Sequence, residues 1–298
     1  MNKYTRKIVH STEGRRAKFF NLLRLMNTSN IRKRQKSAKK HADRQSMLSR
    51  KLDDGISVFE PDTFAGQLEA TNFTANYFDS LSSEEILNRR QNKKSQLLTG
   101  LFPSKELRIG NPVVDFALSP EILRAVTNYL GSVPIITNID FWYSVSTPDI
   151  SNSQLYHCDY ASDKQVKLFL YASDVTVDDG PLVAIDAASS KRVRDIYKYK
   201  WGKRLSDEQV EKVVPKGEHR VMHGAAGTLV FADTSSCFHY GSRVAQDGQD
   251  RKLCMIQYSP AHSFVVREKG RIKYFDVIQG KEKLSDLQKA ALGHDEAL

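Results

Sequence analysis

Gln154-Leu155-Tyr156-His157-Cys158-Asp159 is the stretch on which the reading of this chain turns. In an extended strand, residues i and i+2 project from the same face, so His157 and Asp159 can reach one metal ion together. Ser162-Asp163-Lys164 then turns the chain away. A second imidazole comes from the distant segment Cys237-Phe238-His239-Tyr240-Gly241, which reads as the end of another strand, and Arg251 opens the next strand twelve residues on. Two imidazoles and one carboxylate, with the other coordination positions open, are the ligand set of non-haem Fe(II) oxygenases. Arg251 adds a planar fork that pairs bidentately with a carboxylate, which a Lys cannot match.

Taken singly, each residue has an ordinary reading. Asp159 could be a turn residue, and His239 a core histidine beside Phe238; the joint pattern selects the metal site. Arg243 competes with Arg251 for the carboxylate, but it lies in a polar hairpin, whereas Arg251 begins an apolar strand. Cys237, two positions before His239, keeps a Cys/His zinc site conceivable, although Cys158 would point away from His157.

The surrounding texture is β. Segments 135–143, 166–172, 181–185, 228–232 and 252–258 are apolar or alternating, with turn residues between them. Glu268-Lys269-Gly270-Arg271 reads as the turn of a further hairpin, between 264–266 and 272–275. Such short strands argue for a sandwich or jelly-roll rather than a parallel sheet. Helices flank them. Ser119-Pro120-Glu121 starts one that stops at Gly131. Residues 191–201 and 206–213 read as a helical insert, the second part opened by a Ser206/Gln209 capping box. Residues 83–97 are helix-compatible, and 64–81 fit no single period.

The second half of the chain resembles the phytanoyl-CoA dioxygenase family of Fe(II)/2-oxoglutarate oxygenases. The resemblance rests on His157-Cys158-Asp159, Lys167-Leu168-Phe169-Leu170-Tyr171, Asp178-Asp179-Gly180-Pro181-Leu182, Gly227-Thr228-Leu229-Val230-Phe231, His239-Tyr240-Gly241-Ser242 and Arg251-Lys252. Weaker echoes, Asp54-Gly55-Ile56-Ser57-Val58 and Tyr129-Leu130-Gly131, extend it to about residues 50–275. It implies a mainly β fold with flanking helices, a double-stranded β-helix (jelly-roll, cupin-like) barrel. It also implies Fe(II) held by His157, Asp159 and His239, and 2-oxoglutarate held by Arg251 and, on the strand before the motif, Tyr143. The implied reaction hydroxylates a small-molecule or lipid-type substrate while 2-oxoglutarate is decarboxylated to succinate and CO2. Lys167, Arg243 and Trp201 are candidates for the substrate rim. Ile185-Asp186-Ala187-Ala188-Ser189-Ser190 stands where the family usually has a Pro-Gly-Ser-His turn, which leaves the substrate open. Family halogenases replace the metal-binding Asp with a small residue; Asp159 is present, which favours hydroxylation.

Composition bounds the rest. The chain has 298 residues, 40% hydrophobic and 27% charged, enough for a large core. No apolar run reaches the length of a membrane span, and basic residues interrupt the apolar cluster near the start, where a signal peptide would need an uninterrupted core. Three cysteines without CxxC spacing read as free thiols, in keeping with a cytoplasmic protein. The net charge of +10 is uneven: residues 1–51 carry sixteen Lys or Arg against two acids (+14), and the remainder 29 against 33 (−4). Residues 1–51 are therefore expected to be a basic arm, mobile or helical, ahead of a single domain over 52–298. That domain divides into a helical part over 52–133, a β core over 134–275 and a tail over 276–298.

Three roles fit the arm: a solvated tail, a docking element for an anionic membrane surface through Phe19, Phe20, Leu22, Leu23, Leu25 and Met26, or a nucleic-acid contact, the last without a recognisable motif. Peripheral membrane placement, or an organelle transit segment in a eukaryote, also fits its acid-poor start. Two alternatives to a small-molecule hydroxylase follow: a hydroxylase of a macromolecule docked by the arm, and a non-enzymatic jelly-roll binding module.

Overall fold

A computed structural model of the chain describes residues 3–26, 30–41, 52, 54–91, 98–102, 107–264, 266 and 283–298. Among the described residues, nine strands form two antiparallel sheets. β1 (Ile56–Phe59), β2 (Leu98–Gly100), β3 (Ile135–Ser144), β4 (Val166–Tyr171), β7 (Leu229–Ala232) and β9 (Arg251–Ser259) make the larger, in the order β1-β7-β4-β9-β3-β2. β5 (Leu182–Ala184), β6 (Arg220–Met222) and β8 (His239–Tyr240) make the smaller, in the order β6-β5-β8. The hairpin expected around 268–271 lies outside the described residues.

The large sheet is buried on both faces, and the period of two decides which side chain serves which face. Phe169, Tyr171, Leu253 and Met255 pack with Leu182, Ala184 and Met222 of the small sheet. Their neighbours Leu168, Leu170, Cys254, Ile256 and Tyr258 turn to the opposite layer. Burial on both sides is why 166–171 and 252–258 read as nearly continuous apolar runs.

Helices form that opposite layer. α4 (Gln67–Asp79), α6 (Pro112–Ala117) and α7 (Pro120–Leu130) place Phe78, Phe116, Ile122 and Val126 against the sheet. α7 runs as its sequence signals indicate and ends at Gly131 in the left-handed region (φ 62°), although the Ser119 side chain makes no cap hydrogen bond. α4 falls in the stretch that fits no single period. Its buried Thr71 and Thr74 donate back to the carbonyls of Gln67 and Ala70 (2.8 Å each), so polar residues occupy the inner face and blur the apolar stripe. α5 (Ser83–Gln91) is shorter than the expected 83–97, and 92–97 lie outside the described residues. α8 (Ala187–Tyr197) starts four residues earlier than expected because Asp186 caps it through the Ser189 amide; α9 (Asp207–Glu211) has the expected Ser206/Gln209 capping box. α10 (Asp286–Ala291) completes the helical layer with Leu287 and Ala290.

The N-terminal segment, expected to be mobile or helical, is helical over its described residues. α1 (Lys3–Val9), α2 (Glu13–Leu25) and α3 (Ile31–His41) pack on the rest of the protein. Val9, Phe20 and Leu23 bury against Phe264, and Ile31 against Ile135, Ala261 and Val266. Two of the arm's arginines, Arg16 and Arg34, are themselves buried and bonded, so they add to its inner face instead of repelling it into solvent. No helix of the described residues is long and apolar enough to cross a membrane.

Candidate active site

His157 and His239 meet on the small-sheet side. They face each other in an isolated antiparallel bridge, each backbone N–H donating to the other's carbonyl at 3.0 Å. β8 in turn pairs with β5, Ala184 opposite His239. Asp159 lies beyond the bridge, in irregular chain whose amide donates to the Thr234 carbonyl at 2.7 Å. The expected regular strand through His157 and Asp159 is thus reduced to isolated bridges at Tyr156 and His157, yet the side chains converge. One ligand atom from each of His157, Asp159 and His239 lies within 4.8 Å of the others. The imidazole rings are 4.3 Å apart, and His157 Nε2 is 3.9 Å from Asp159 Oδ1.

The hydrogen bonds around these groups leave the right atoms free. His157 Nδ1 bonds the Leu155 carbonyl at 2.9 Å, and His239 Nδ1 the Cys237 carbonyl at 3.0 Å. A carbonyl only accepts, so each Nδ1 carries the proton and each Nε2 keeps its lone pair. Burial, reinforced by the neighbouring His239, pushes the His157 pKa down to about 3, and burial lowers that of His239 too. Both rings therefore stay neutral, the form that binds a metal. Asp159 takes two donors on one oxygen: Lys167 Nζ at 2.7 Å and Gln165 Nε2 at 2.8 Å, both to Oδ2. Burial would raise its pKa, but Lys167, His239 and His157 together hold it well below the ordinary carboxylate range. Two neutral imidazoles and a carboxylate with Oδ1 unused fit a divalent metal ion.

Arg251 opens β9 and is fully enclosed. Its Nη1 donates to the Gly180 carbonyl at 2.6 Å, and its Nη2 to Ser242 Oγ at 2.7 Å and Ser144 Oγ at 3.2 Å. Nε has no partner, and no carboxylate among the described residues lies within ion-pair range of it. Burial lowers its pKa, as expected for a desolvated cation without an anionic neighbour. Gly180 is required here: its φ is 67°, and a Cβ would sit 2.8 Å from the Arg243 and Val244 amides. Arg251 and Ser242 line the same cavity as His157, Asp159 and His239. That cavity holds about 170 Å³ and is walled by Trp142, Phe169, Tyr171 and Leu253.

The other sequence candidates fall differently. Tyr143 does not reach the cavity. On β3 it alternates with Trp142, so it packs in the helical layer beside Phe78 while its hydroxyl donates to Asp250. Trp142 takes the cavity position instead. Arg243 is paired bidentately with Asp207 at 2.7 Å and stacked on Tyr240, which removes it from competition with Arg251. Trp201 is buried in a separate cluster with Tyr199 and Phe238. Cys237 packs between the sheets, its Sγ 3.8 Å from the Asp54 carbonyl, and joins no metal cluster among the described residues. Lys167 does line the cavity, as the partner of Asp159. Sequence reasoning missed Gln165, Trp142, Ser144 and Ser242. Counting back by twos from Tyr171 through Phe169 and Lys167 points to Gln165, and that alternation was the available signal.

The chain just after Asp159 is held from the N-terminal segment. Arg16 of α2 donates to the carbonyls of Tyr160 at 3.0 Å and Ser162 at 2.7 Å, and Arg24 pairs with Asp163. Asp163 also takes His262 Nε2 at 2.7 Å.

No protein-family model and no curated protein sequence matches the chain. Its fold is similar to that of EctD from S. alaskensis in its apo form, with a TM-score of 0.51 and 16% identity over 73% of this chain and 77% of that one. Two further solved structures are more distant. SnoK, a non-heme alpha-ketoglutarate dependent carbocyclase from nogalamycin biosynthesis, has a TM-score of 0.46 and 16% identity over 73% of this chain and 84% of its own. HygX from Streptomyces hygroscopicus, solved with nickel and 2-oxoglutarate bound, has a TM-score of 0.45 and 14% identity over 70% and 84%. At such identities the likeness is one of fold.

Proposed function

We propose that the protein is an Fe(II)/2-oxoglutarate-dependent dioxygenase of the phytanoyl-CoA dioxygenase-like type. Its sheets would form a double-stranded β-helix, and it would hydroxylate a small-molecule or lipid-type substrate with O2, one oxygen atom going to the substrate and the other to the succinate formed, with CO2, from 2-oxoglutarate. One observation carries the reading: a His/Asp/His cluster with its metal-binding atoms unused shares a cavity with a buried arginine that lacks a carboxylate partner. Iron and 2-oxoglutarate, when bound, supply the oxidising chemistry.

The chain's own residues bind and orient. His157 and His239 offer Nε2, and Asp159 offers Oδ1, its other oxygen fixed by Lys167 and Gln165. Arg251, with Ser144 and Ser242 holding its fork, provides the charge for the far carboxylate of the co-substrate. Trp142, Phe169 and Leu253 give the cavity an apolar wall. The intact set argues against a non-enzymatic binding module, since each of these groups is arranged for a ligand it does not itself supply.

Anaerobic titration with Fe(II) and then 2-oxoglutarate tests the reading. The wild-type protein is expected to develop a weak visible charge-transfer band that Asp159→Ala loses. A wild-type protein without the band, or a band indifferent to Asp159→Ala, would rule the oxygenase out. Succinate release across lipids, amino acids and CoA esters then ranks the substrate classes.

A further inference from the structure

We infer that the outer face of the N-terminal helices is a docking surface for an anionic lipid bilayer. α2 presents apolar side chains on two faces, and the fold buries only one. Arg16, Phe20 and Leu23, spaced i, i+4 and i+7, are buried toward the rest of the protein. Arg15, Lys18, Leu22 and Leu25, spaced i, i+3, i+7 and i+10, form a second row on the outside, with Met26 beside it. Leu22, Leu25 and Met26 are 55%, 65% and 51% exposed, which a helix serving only as a solvated tail has no reason to present.

The charge around this apolar end favours lipid headgroups. Arg32 at the start of α3 donates to the Leu25 carbonyl at 3.2 Å, which brings α3 alongside the exposed leucines. Lys33, Lys36, Lys39 and Lys40 follow on α3, all exposed, while Ile31, Arg34, Ser37 and Ala38 face inward. Arg15 and Lys18 of α2 and Arg32, Lys36, Lys39 and Lys40 of α3 are all exposed, so positive charge is concentrated on the same two helices as the exposed leucines. Apolar side chains ringed by lysines and arginines suit the headgroup–acyl boundary of an anionic membrane. A phosphodiester backbone would use the cations and leave Leu22, Leu25 and Met26 without a role.

The surface is independent of the iron chemistry, so the metal-free full-length protein suffices to test it. Co-sedimentation with vesicles of phosphatidylcholine and phosphatidylserine should show binding that pure phosphatidylcholine vesicles do not support. The variant Leu22→Ser/Leu25→Ser should bind the anionic vesicles about tenfold more weakly or worse, with an unchanged melting temperature, because both positions are exposed. Lys36→Glu/Lys39→Glu should weaken binding and flatten its salt dependence. Failure to bind anionic vesicles overturns the inference. So does equal binding by wild type and the double-serine variant, particularly if duplex DNA then competes, which would identify a purely electrostatic nucleic-acid surface.

Discussion

Two arginines are buried to almost the same degree and do opposite things. Arg34 in α3 is 0% exposed and Arg251 in β9 is 4% exposed. Arg34 is bonded around its whole fork. Nε and Nη2 lie 2.9 and 2.8 Å from Asp295 Oδ1, Nη1 donates to the carbonyls of Val133 and Pro134, and Nη2 to that of Ala290. It thereby stitches the N-terminal helices to the α7–β3 junction and to the C-terminus. Arg251 has two hydroxyls, one carbonyl and an unpaired Nε, and no carboxylate among the described residues. A desolvated cation left in that state destabilises the fold. A folding role accounts for Arg34, whereas the proposed function gives Arg251 the carboxylate it lacks among the described residues.

Substitution should separate the two. Arg34→Met strands Asp295 and three carbonyls, so the unfolding free energy should fall by about 3–5 kcal/mol, a large part of an ordinary domain's stability. Urea unfolding measures this, and succinate turnover per folded molecule should stay near wild type. Arg251→Met should show the reverse. The apparent KM for 2-oxoglutarate should rise roughly thirtyfold or more, matching the 2 kcal/mol or greater cost of losing one side of a buried charge pair. Stability without co-substrate should hold or rise, because an uncompensated charge has left the interior. If Arg251→Met unfolds as readily as Arg34→Met while the KM stays flat, the distinction between them fails.

Much of the site was legible before the fold. His157, Asp159, His239 and Arg251 are polar residues at the ends of apolar segments, and their joint spacing fits one shared site better than four separate structural roles. The inner strands β3, β4, β7 and β9 were legible too, because burial on both faces of the large sheet makes them conspicuous, whereas its short edge strands β1 and β2 were not. What was lost depended on which face a residue serves. Tyr143 and Trp142 are neighbours of similar character, and only the pairing of β3 with β9 decides which of them enters the cavity. The fate of the basic arm was equally hidden. Arg16 and Arg34 look like their exposed neighbours in composition, and become interior residues through carbonyls and an acid more than ninety residues away.

The finest form of the comparison concerns Asp159, which has two positioning partners of different charge on the same oxygen. Gln165 donates one amide hydrogen to Asp159 Oδ2 and the other to Thr234 Oγ1 at 2.7 Å, while its Oε1 has no partner. Gln165→Leu removes a neutral orienting bond and also an unsatisfied buried acceptor, so stability should change little. Fe(II) affinity should drop about tenfold, the lower end of what losing such a supporting hydrogen bond costs. Lys167→Met removes an orienting bond as well, but it also takes a positive charge away from the site where a divalent cation binds. These two effects oppose each other, so the Lys167 variant should lose less affinity than the Gln165 variant despite its shorter bond. Anaerobic competition against a chromophoric chelator reads both values. Wild-type affinity in Gln165→Leu, together with a large loss in Lys167→Met, would mean that charge balance rather than orientation holds Asp159 ready for the metal.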